Sequence, residues 1–236
     1  MNKFGYASPT TILTLLEETA ADHCNSINYD LYKLERQNVG WVLLSGVMQM
    51  ERYPRYKDKI TIRTWLSGFS SIKGFRENII YDNQNNIIGR AKGLWLFFDL
   101  KRRRPTRVFD DIIKKWSFYN QESIPDDITG KIEPIDSDID ALEFSIRRYD
   151  TDMNKHVNNI RYLQWAVESI PEEIVSDYYL YSINGRFLAE AQFGDTILSL
   201  TRNDSGDTSF IHTIKVQGSN KVCATARSVW KKNPEK

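Results

Sequence analysis

The sequence predicts an α+β fold made of two successive copies of one unit. Three observations carry this. A segment with helical periodicity is followed by a run of strand-like segments, not by alternating helices and strands. That order then occurs a second time. Finally, two peptides of the first half recur in the second in nearly constant register. Tyr56-Lys57-Asp58-Lys59-Ile60-Thr61-Ile62 matches Phe193-Gly194-Asp195-Thr196-Ile197-Leu198-Ser199, and Ala91-Lys92-Gly93-Leu94-Trp95 matches Ala226-Arg227-Ser228-Val229-Trp230. Asp58 recurs 137 residues on as Asp195 and Ala91 recurs 135 residues on as Ala226, a period of small-domain length and far too long for a solenoid.

Ser8 followed by Pro9 reads as a helix cap with proline in the first turn. Ile12, Leu15, Leu16, Thr19, Ala20 and His23 then recur at helical spacing and predict a helix over 9–24. Residues 24–37 are mixed and polar, a connection with a short helical piece. From Val39 the period changes to that of strands: 40–50, 59–66, 74–81 and 87–100, with the turn Asp82-Asn83-Gln84-Asn85-Asn86 between the last two. Lys101, Arg102, Arg103, Arg104 and Arg107 form a basic run. The first unit is taken as 1–115, and the charged, proline-containing stretch 116–140 as a linker. The second unit, 141–236, starts with a short strand at 142–147 and a helix around Ile160, Leu163, Ala166, Val167 and Ile170, capped by Asn158 or Asn159 and stopped by Pro171. Strands at 178–189, 195–201, 208–217 and 221–230 complete it.

A chain of 236 residues with 41% hydrophobic and 27% charged residues has the composition of a globular protein. Its net charge of +1 supplies no global field for nucleic acid or an anionic membrane. Cys24 and Cys223 stand far apart in no metal or redox spacing, which suits free thiols in a cytoplasmic protein. The N-terminus lacks an apolar run of signal-peptide length, and no window approaches a membrane span.

The chemistry concentrates in Asp152-Met153-Asn154-Lys155-His156-Val157-Asn158-Asn159. A carboxylate, an amide and an imidazole within five residues lead into a helix N-terminus, where free N–H groups favour developing negative charge. The other reading is a turn built by Asx side chains on their own backbone. The repeat discriminates between the two. A turn required by the fold would be needed in both copies, yet Gly5, Ala7 and Ser8 stand at that place in the first. The cluster therefore reads as a single active site. A calcium loop fails, because Val157 occupies the glycine position and Leu163 the bidentate glutamate position. His-Glu-x-x-His, Gly-x-Ser-x-Gly and a glycine-rich phosphate loop are absent, and three scattered histidines do not suit a histidine-rich metal site. Water activation remains. Histidine beside a carboxylate can deprotonate water near neutrality, and an asparagine with helix N–H groups can hold an oxyanion. A thioester is an apt target, since its thiolate departs with little need of a proton.

The run from Arg147 to Trp165, Arg-Arg-Tyr-Asp-Thr-Asp-Met-Asn-Lys-His-Val-Asn-Asn-Ile-Arg-Tyr-Leu-Gln-Trp, closely resembles the signature of the acyl-(acyl carrier protein) thioesterases of plant plastids and bacteria. Leu16-Glu17-Glu18-Thr19-Ala20-Ala21-Asp22-His23, Gly40-Trp41-Val42, Arg52-Tyr53-Pro54 and Gly93-Leu94-Trp95 are similar too, so the likeness spans nearly the whole chain. It implies a tandem (double) hot-dog fold, each unit an antiparallel sheet wrapped around a long helix. It also implies hydrolysis of fatty acyl-carrier-protein thioesters, without metal or organic cofactor. The family's catalytic residues fall on Asp152, Asn154 and His156, and a further acidic residue on the strand after the helix falls on Glu190. Many plant members have cysteine directly after that glutamate. Here it is Ala191, so a thiol nucleophile at that place is ruled out by the same resemblance. The region before the first helix is short, which implies an abbreviated first strand in the first unit.

The expected roles are then as follows. Glu190 and His156 position and deprotonate water, in an order the sequence leaves open. Asp152 tunes the imidazole, and Asn154 with the N–H groups of residues 157–159 polarises the carbonyl. The acyl chain is expected in the first unit, near residues 41–50 and the helix of Leu13 to Ala20, and the basic run 101–107 could dock the carrier protein. A homodimer is left open. The rival readings are an acyl-CoA thioesterase of the same fold, a non-hydrolytic acyl-binding module, and a hot-dog dehydratase.

Overall fold

A computed structural model describes residues 4–137, 140–151, 156–206 and 208–233. The chain folds into two compact units, Met1–Thr129 and Gly130–Lys236.

In the first unit α1 (Pro9–Ser26) starts where Ser8 Oγ accepts from the Thr11 N–H at 3.1 Å. It buries Ile12, Leu16, Ala20 and Cys24, one residue per turn, so a single stripe faces the sheet. The short helix α2 (Leu31–Arg36) is capped by Asp30, whose carboxylate accepts from the Lys33 N–H at 2.8 Å. The strands are β1 (Val39–Met50), β2 (Thr61–Phe69), β3 (Lys73–Tyr81) and β4 (Ile87–Asp99), all antiparallel in the order β2-β3-β4-β1. A two-residue β5 (Arg104–Pro105) adds to β4, and α3 (Asp110–Lys115) follows. The β3–β4 hairpin closes on Asp82, whose Oδ1 accepts from the Gln84 and Asn86 N–H groups, each at 2.9 Å. Helix and sheet bury Cys24, Leu66 and Phe97 together with Trp116, and Trp41 meets Phe97 and Trp116 in tilted contacts with ring centroids 4.8 and 5.8 Å apart.

In the second unit β6 (Leu142–Ser145) precedes α4 (Asn159–Glu168), α5 (Glu172–Asp177), β7 (Tyr178–Phe187), β8 (Thr196–Asn203), β9 (Ser209–Val216) and β10 (Val222–Lys232). The antiparallel order is β7-β10-β9-β8-β6. Strand for strand this is the first sheet again, with β6 added at the edge. The first unit has no such added strand among the described residues, and its isolated bridge between Tyr6 and Arg55 corresponds, 137 residues earlier on the sheet side, to the bridge between His156 and Gln192. From α4, Tyr162, Trp165 and Ala166 pack on Ile197, Ile214 and Ala224, one from each of β8, β9 and β10. Helix α4 ends at Glu168, earlier than the apolar pattern implied, and Pro171 instead caps α5.

The repeat extends to polar positions inside each unit. In the first, Thr64 Oγ1 of β2 accepts from the buried Arg76 guanidinium of β3 at 3.1 Å. In the second, Thr201 of β8 pairs with the buried His212 of β9 at 2.8 Å. Burial and the neighbouring Arg76 lower the pKa of His23 to about 4, so its neutral Nδ1 can accept from that guanidinium at 2.9 Å.

The stretch read from sequence as a linker, 116–140, lies on protein for most of its described length. Ile124 and Ile128 are buried on Val47 and Leu94 of the first sheet. Around them, Ser123 donates through N and Oγ to the fully buried Glu77 carboxylate at 2.9 and 2.6 Å, and Lys92 Nζ meets Glu122 at 2.7 Å. Ile132 and Ile135 pack on Leu198, Leu200 and Ile211 of the second sheet, and the Ile135 N–H donates to Thr213 Oγ1 at 2.8 Å. An extended strap has neither helical nor alternating period, so it leaves no pattern to read. Among the described residues no helix is long and apolar enough to cross a membrane.

Candidate active site

The site is assembled from two segments of the second unit. The first leaves a 3-10 turn at Arg148–Asp150 and re-enters the described chain at His156. Three contacts fix its frame. Thr151 and Val157 form an antiparallel bridge, the Asn158 N–H donates to the Asp150 carbonyl at 2.9 Å, and the Arg147 N–H donates to the Asp150 carboxylate at 2.7 Å. Arg161 of α4 holds the same carboxylate at 3.4 Å. Asn158 then caps α4, its Oδ1 accepting from the Ile160 N–H at 2.7 Å.

The second segment is 188–195. It leaves β7 because the Leu188 and Ala189 N–H groups both turn to the Cys223 carbonyl, at 2.8 and 3.2 Å. Glu190 therefore stands just past the strand rather than on it. A tight turn closes the segment, with the Gln192 N–H donating to the Asp195 carboxylate at 3.0 Å and Gly194 at φ +95, a conformation that favours glycine.

The two segments meet along a short antiparallel contact, His156 against Gln192, with the Val157 N–H on the Ala191 carbonyl at 3.4 Å. That contact brings His156 Nε2 to 3.3 Å from Glu190 Oε2. The imidazole is 24% exposed and the carboxylate 41%, so the pair is held by protein and open to water. Asp152 and Asn154 lie outside the described residues.

The backbone corrects one expectation. Of the three N–H groups at 157–159 expected to polarise a carbonyl, Val157 and Asn158 spend theirs on Ala191 and Asp150. Only Asn159 of the three has no acceptor among the described residues. Neither cysteine is a nucleophile candidate. Burial raises the Cys24 thiol and lifts that of Cys223 to about 11.

Two family models match the chain, the acyl-ACP thioesterase N-terminal domain over residues 4–116 and the acyl-ACP thioesterase C-terminal domain over 133–232. The chain belongs to the acyl-ACP thioesterase family. Among similar thioesterases, the oleoyl-acyl carrier protein thioesterase 1 of Arabidopsis thaliana is 27% identical over 97% of this chain and 72% of its own length. The oleoyl-acyl carrier protein thioesterase of Coriandrum sativum is 28% identical over 98% of this chain and 73% of its own. In fold, the chain superposes on an acyl-ACP thioesterase from Bacteroides thetaiotaomicron with a TM-score of 0.87 at 21% identity, covering 98% of this chain and 93% of that one. The 12:0-ACP thioesterase of Umbellularia californica gives 0.85 at 20% identity, covering 99% and 93%. The tandem hot-dog architecture follows from these two superpositions.

Two residues of the candidate site were not singled out in the sequence. Asp150 ties the turn, the cap region and Arg161 together. Tyr162 is buried, and its hydroxyl accepts from the Ala191 N–H at 2.9 Å, next to Glu190. Burial keeps that phenol well above its usual pKa, so it stays neutral. A tyrosine on the buried face of a helix reads as core, and only the fold shows what its hydroxyl reaches. Replacing Tyr162 with Phe leaves a buried N–H unpaired, at a cost of about 1–3 kcal/mol. The expected outcome is a lower kcat with little change in KM, because the carboxylate is displaced while the acyl site is untouched. Steady-state kinetics with a urea titration alongside checks both effects.

Proposed function

We propose that the chain hydrolyses fatty acyl-carrier-protein thioesters to free fatty acid and carrier protein, using water activated by His156 and Glu190. The observation that carries the residue assignment is the 3.3 Å approach of imidazole and carboxylate on a water-accessible edge. At that separation the imidazole and the carboxylate can hold one water between them and the substrate, and either can take its proton. A water between the pair and the thioester loses its proton to the pair as its oxygen attacks the carbonyl carbon. The tetrahedral oxyanion is met by Asn154 and by the Asn159 N–H at the start of α4, with Asp152 tuning the imidazole. Collapse breaks the carbon–sulfur bond, the thiolate leaves on the carrier's arm, and the new carboxyl stays on the acyl chain. No covalent acyl-enzyme is needed, in keeping with Ala191 and with two buried, high-pKa thiols.

A division of labour belongs to the same proposal. The second unit supplies the reacting groups, while the first receives the acyl chain near β1 and α1. The enzyme would act in the cytoplasm.

The test is thiol release from one acyl chain presented on carrier protein and on CoA. Carrier-protein ester cleaved with the higher kcat/KM supports the proposal. A CoA preference would move the assignment to the acyl-CoA class, and a β-hydroxyacyl ester dehydrated without free thiol would move it to the dehydratases.

A further inference from the structure

Two stretches of the chain gather positive charge, and the structure treats them differently. In the run 101–107, Arg102 lies 3.8 Å from Asp99 and Arg107 2.9 Å from Asp110, so at least two of its five cations are answered locally. Arg147 and Arg148 are exposed and, among the described residues, have no carboxylate partner. Asp150, in the same turn, is engaged by the Arg147 N–H and by Arg161. Arg148 instead lies over the ring of Phe193, 5.0 Å from its centroid. Phe193 directly follows Gln192, which pairs with His156, and the turn carrying both arginines is bridged through Thr151 to Val157. These residues therefore form one continuous rim beside the catalytic pair.

The same rim is unusually apolar for exposed surface. Tyr149 is 85% exposed, Leu188 61% and Phe193 56%. Single exposed apolar residues need no explanation, but exposed rings beside two arginines that have no carboxylate partner among the described residues mark a contact surface. Guanidinium forks suit carboxylates, and aromatic rings with arginine are the groups that dominate protein contacts.

We propose that Arg147, Arg148, Tyr149, Leu188 and Phe193 form the docking surface for the acyl carrier protein, an inference that rests on the hydrolytic function proposed above. The occupant is the protein surface of the carrier, and two exposed guanidinium groups fit an acidic one. Carboxylates on it meet the two arginines, and apolar side chains on it meet the exposed rings. Docking there delivers the thioester to the neighbouring His156 and Glu190.

The test compares the wild type with an Arg147→Glu/Arg148→Glu double variant on three substrates with one acyl chain: the carrier-protein ester, the phosphopantetheine ester and the N-acetylcysteamine ester. The expected result is a rise of about tenfold or more in KM for the carrier-protein ester, because opposed rim charges act on encounter. Turnover of the N-acetylcysteamine and phosphopantetheine esters stays within about twofold of wild type, since neither presents the carrier surface and rim contacts contribute little elsewhere. Added salt raises the wild-type KM for the carrier-protein ester and lowers that of the variant, whose reversed charges repel the same surface. An equal rise on the phosphopantetheine ester would overturn the proposal, since the arginines would then be reading phosphate. So would an unchanged KM on carrier protein, or a Lys101→Glu/Arg103→Glu variant that raises it while the rim variant does not. A change of oligomeric mass without a change of KM would assign the rim to a second copy of the chain and overturn it too. A wild type that cleaves the small thioester but no carrier-protein ester would sink the functional proposal itself, a result distinguishable from the others.

Discussion

Removing either member of the His156–Glu190 pair is expected to lower kcat for acyl-carrier-protein hydrolysis by about 10²–10⁴, the usual worth of a positioned general base. The argument is geometric. The imidazole and carboxylate are 3.3 Å apart, each held by a separate segment, and the segments are pinned to each other by the His156–Gln192 contact. If the pair accepts one proton as a unit, the losses do not add. A His156→Ala/Glu190→Gln double variant is then expected to be no slower than the worse single variant. KM should change little, because neither group is assigned to the acyl chain. Steady-state kinetics on the three variants is the check. Near wild-type turnover in Glu190→Gln would remove the carboxylate from the scheme. Additive losses would mean that the two groups serve separate steps. Both side chains sit at a solvent-accessible edge, so folding can be verified independently by a urea titration.

The second large effect concerns stability in acid. His212 is fully buried between hydroxyls, pairing with Thr201 through Nδ1 and with Ser228 through Nε2, each at 2.8 Å. A neutral imidazole satisfies both hydroxyls, donating through one ring nitrogen and accepting through the other. Burial accordingly lowers its pKa from 6.5 to about 3. The sign follows directly. In the unfolded chain this histidine takes up a proton as pH falls through 6.5, while the folded chain does not until about 3. The contribution is therefore present in full above pH 6.5 and drains away as pH falls towards 3. At pH 5 the folded side chain is still neutral, so the loss is set by the unfolded pKa alone and amounts to about 2 kcal/mol. Urea midpoints at pH 7.5 and pH 5 measure it. A His212→Gln variant keeps a donor and an acceptor without a titrating group. It should start less stable at pH 7.5, from imperfect packing, yet lose less on going to pH 5. Parallel losses in the two proteins would refute the role given to this residue.

What could be read in advance depended on whether a feature has a period or a partner in sequence. The duplication was legible because Asp58 and Asp195, and Ala91 and Ala226, open or sit within equivalent strands. The cap at Ser8 and the turn at Asp82 were legible because side chains there bond backbone a few residues away. Glu190 came only through family likeness, since Phe187-Leu188-Ala189-Glu190-Ala191 has no catalytic pattern of its own. Its displacement off β7 depends on the Cys223 carbonyl, more than thirty residues later. Tyr162, Asp150 and the equivalence of Arg76 with His212 were hidden for the same reason. Each is defined by a contact between strands or segments distant in sequence. The use of the Val157 and Asn158 N–H groups was missed because helix-start logic treats these donors as free, whereas the neighbouring segment 190–192 and Asp150 had already claimed two of them.

The isoleucine strap bears on how the chain could be divided. Ile124 and Ile128 belong to the first sheet's cover, and Ile132 and Ile135 to the second's. A split-gene version of this enzyme therefore has one favourable breakpoint, the peptide bond between Thr129 and Gly130. Shifting the cut ten residues in either direction would leave one fragment with a bare greasy seat and the other with a sticky, unstructured tail.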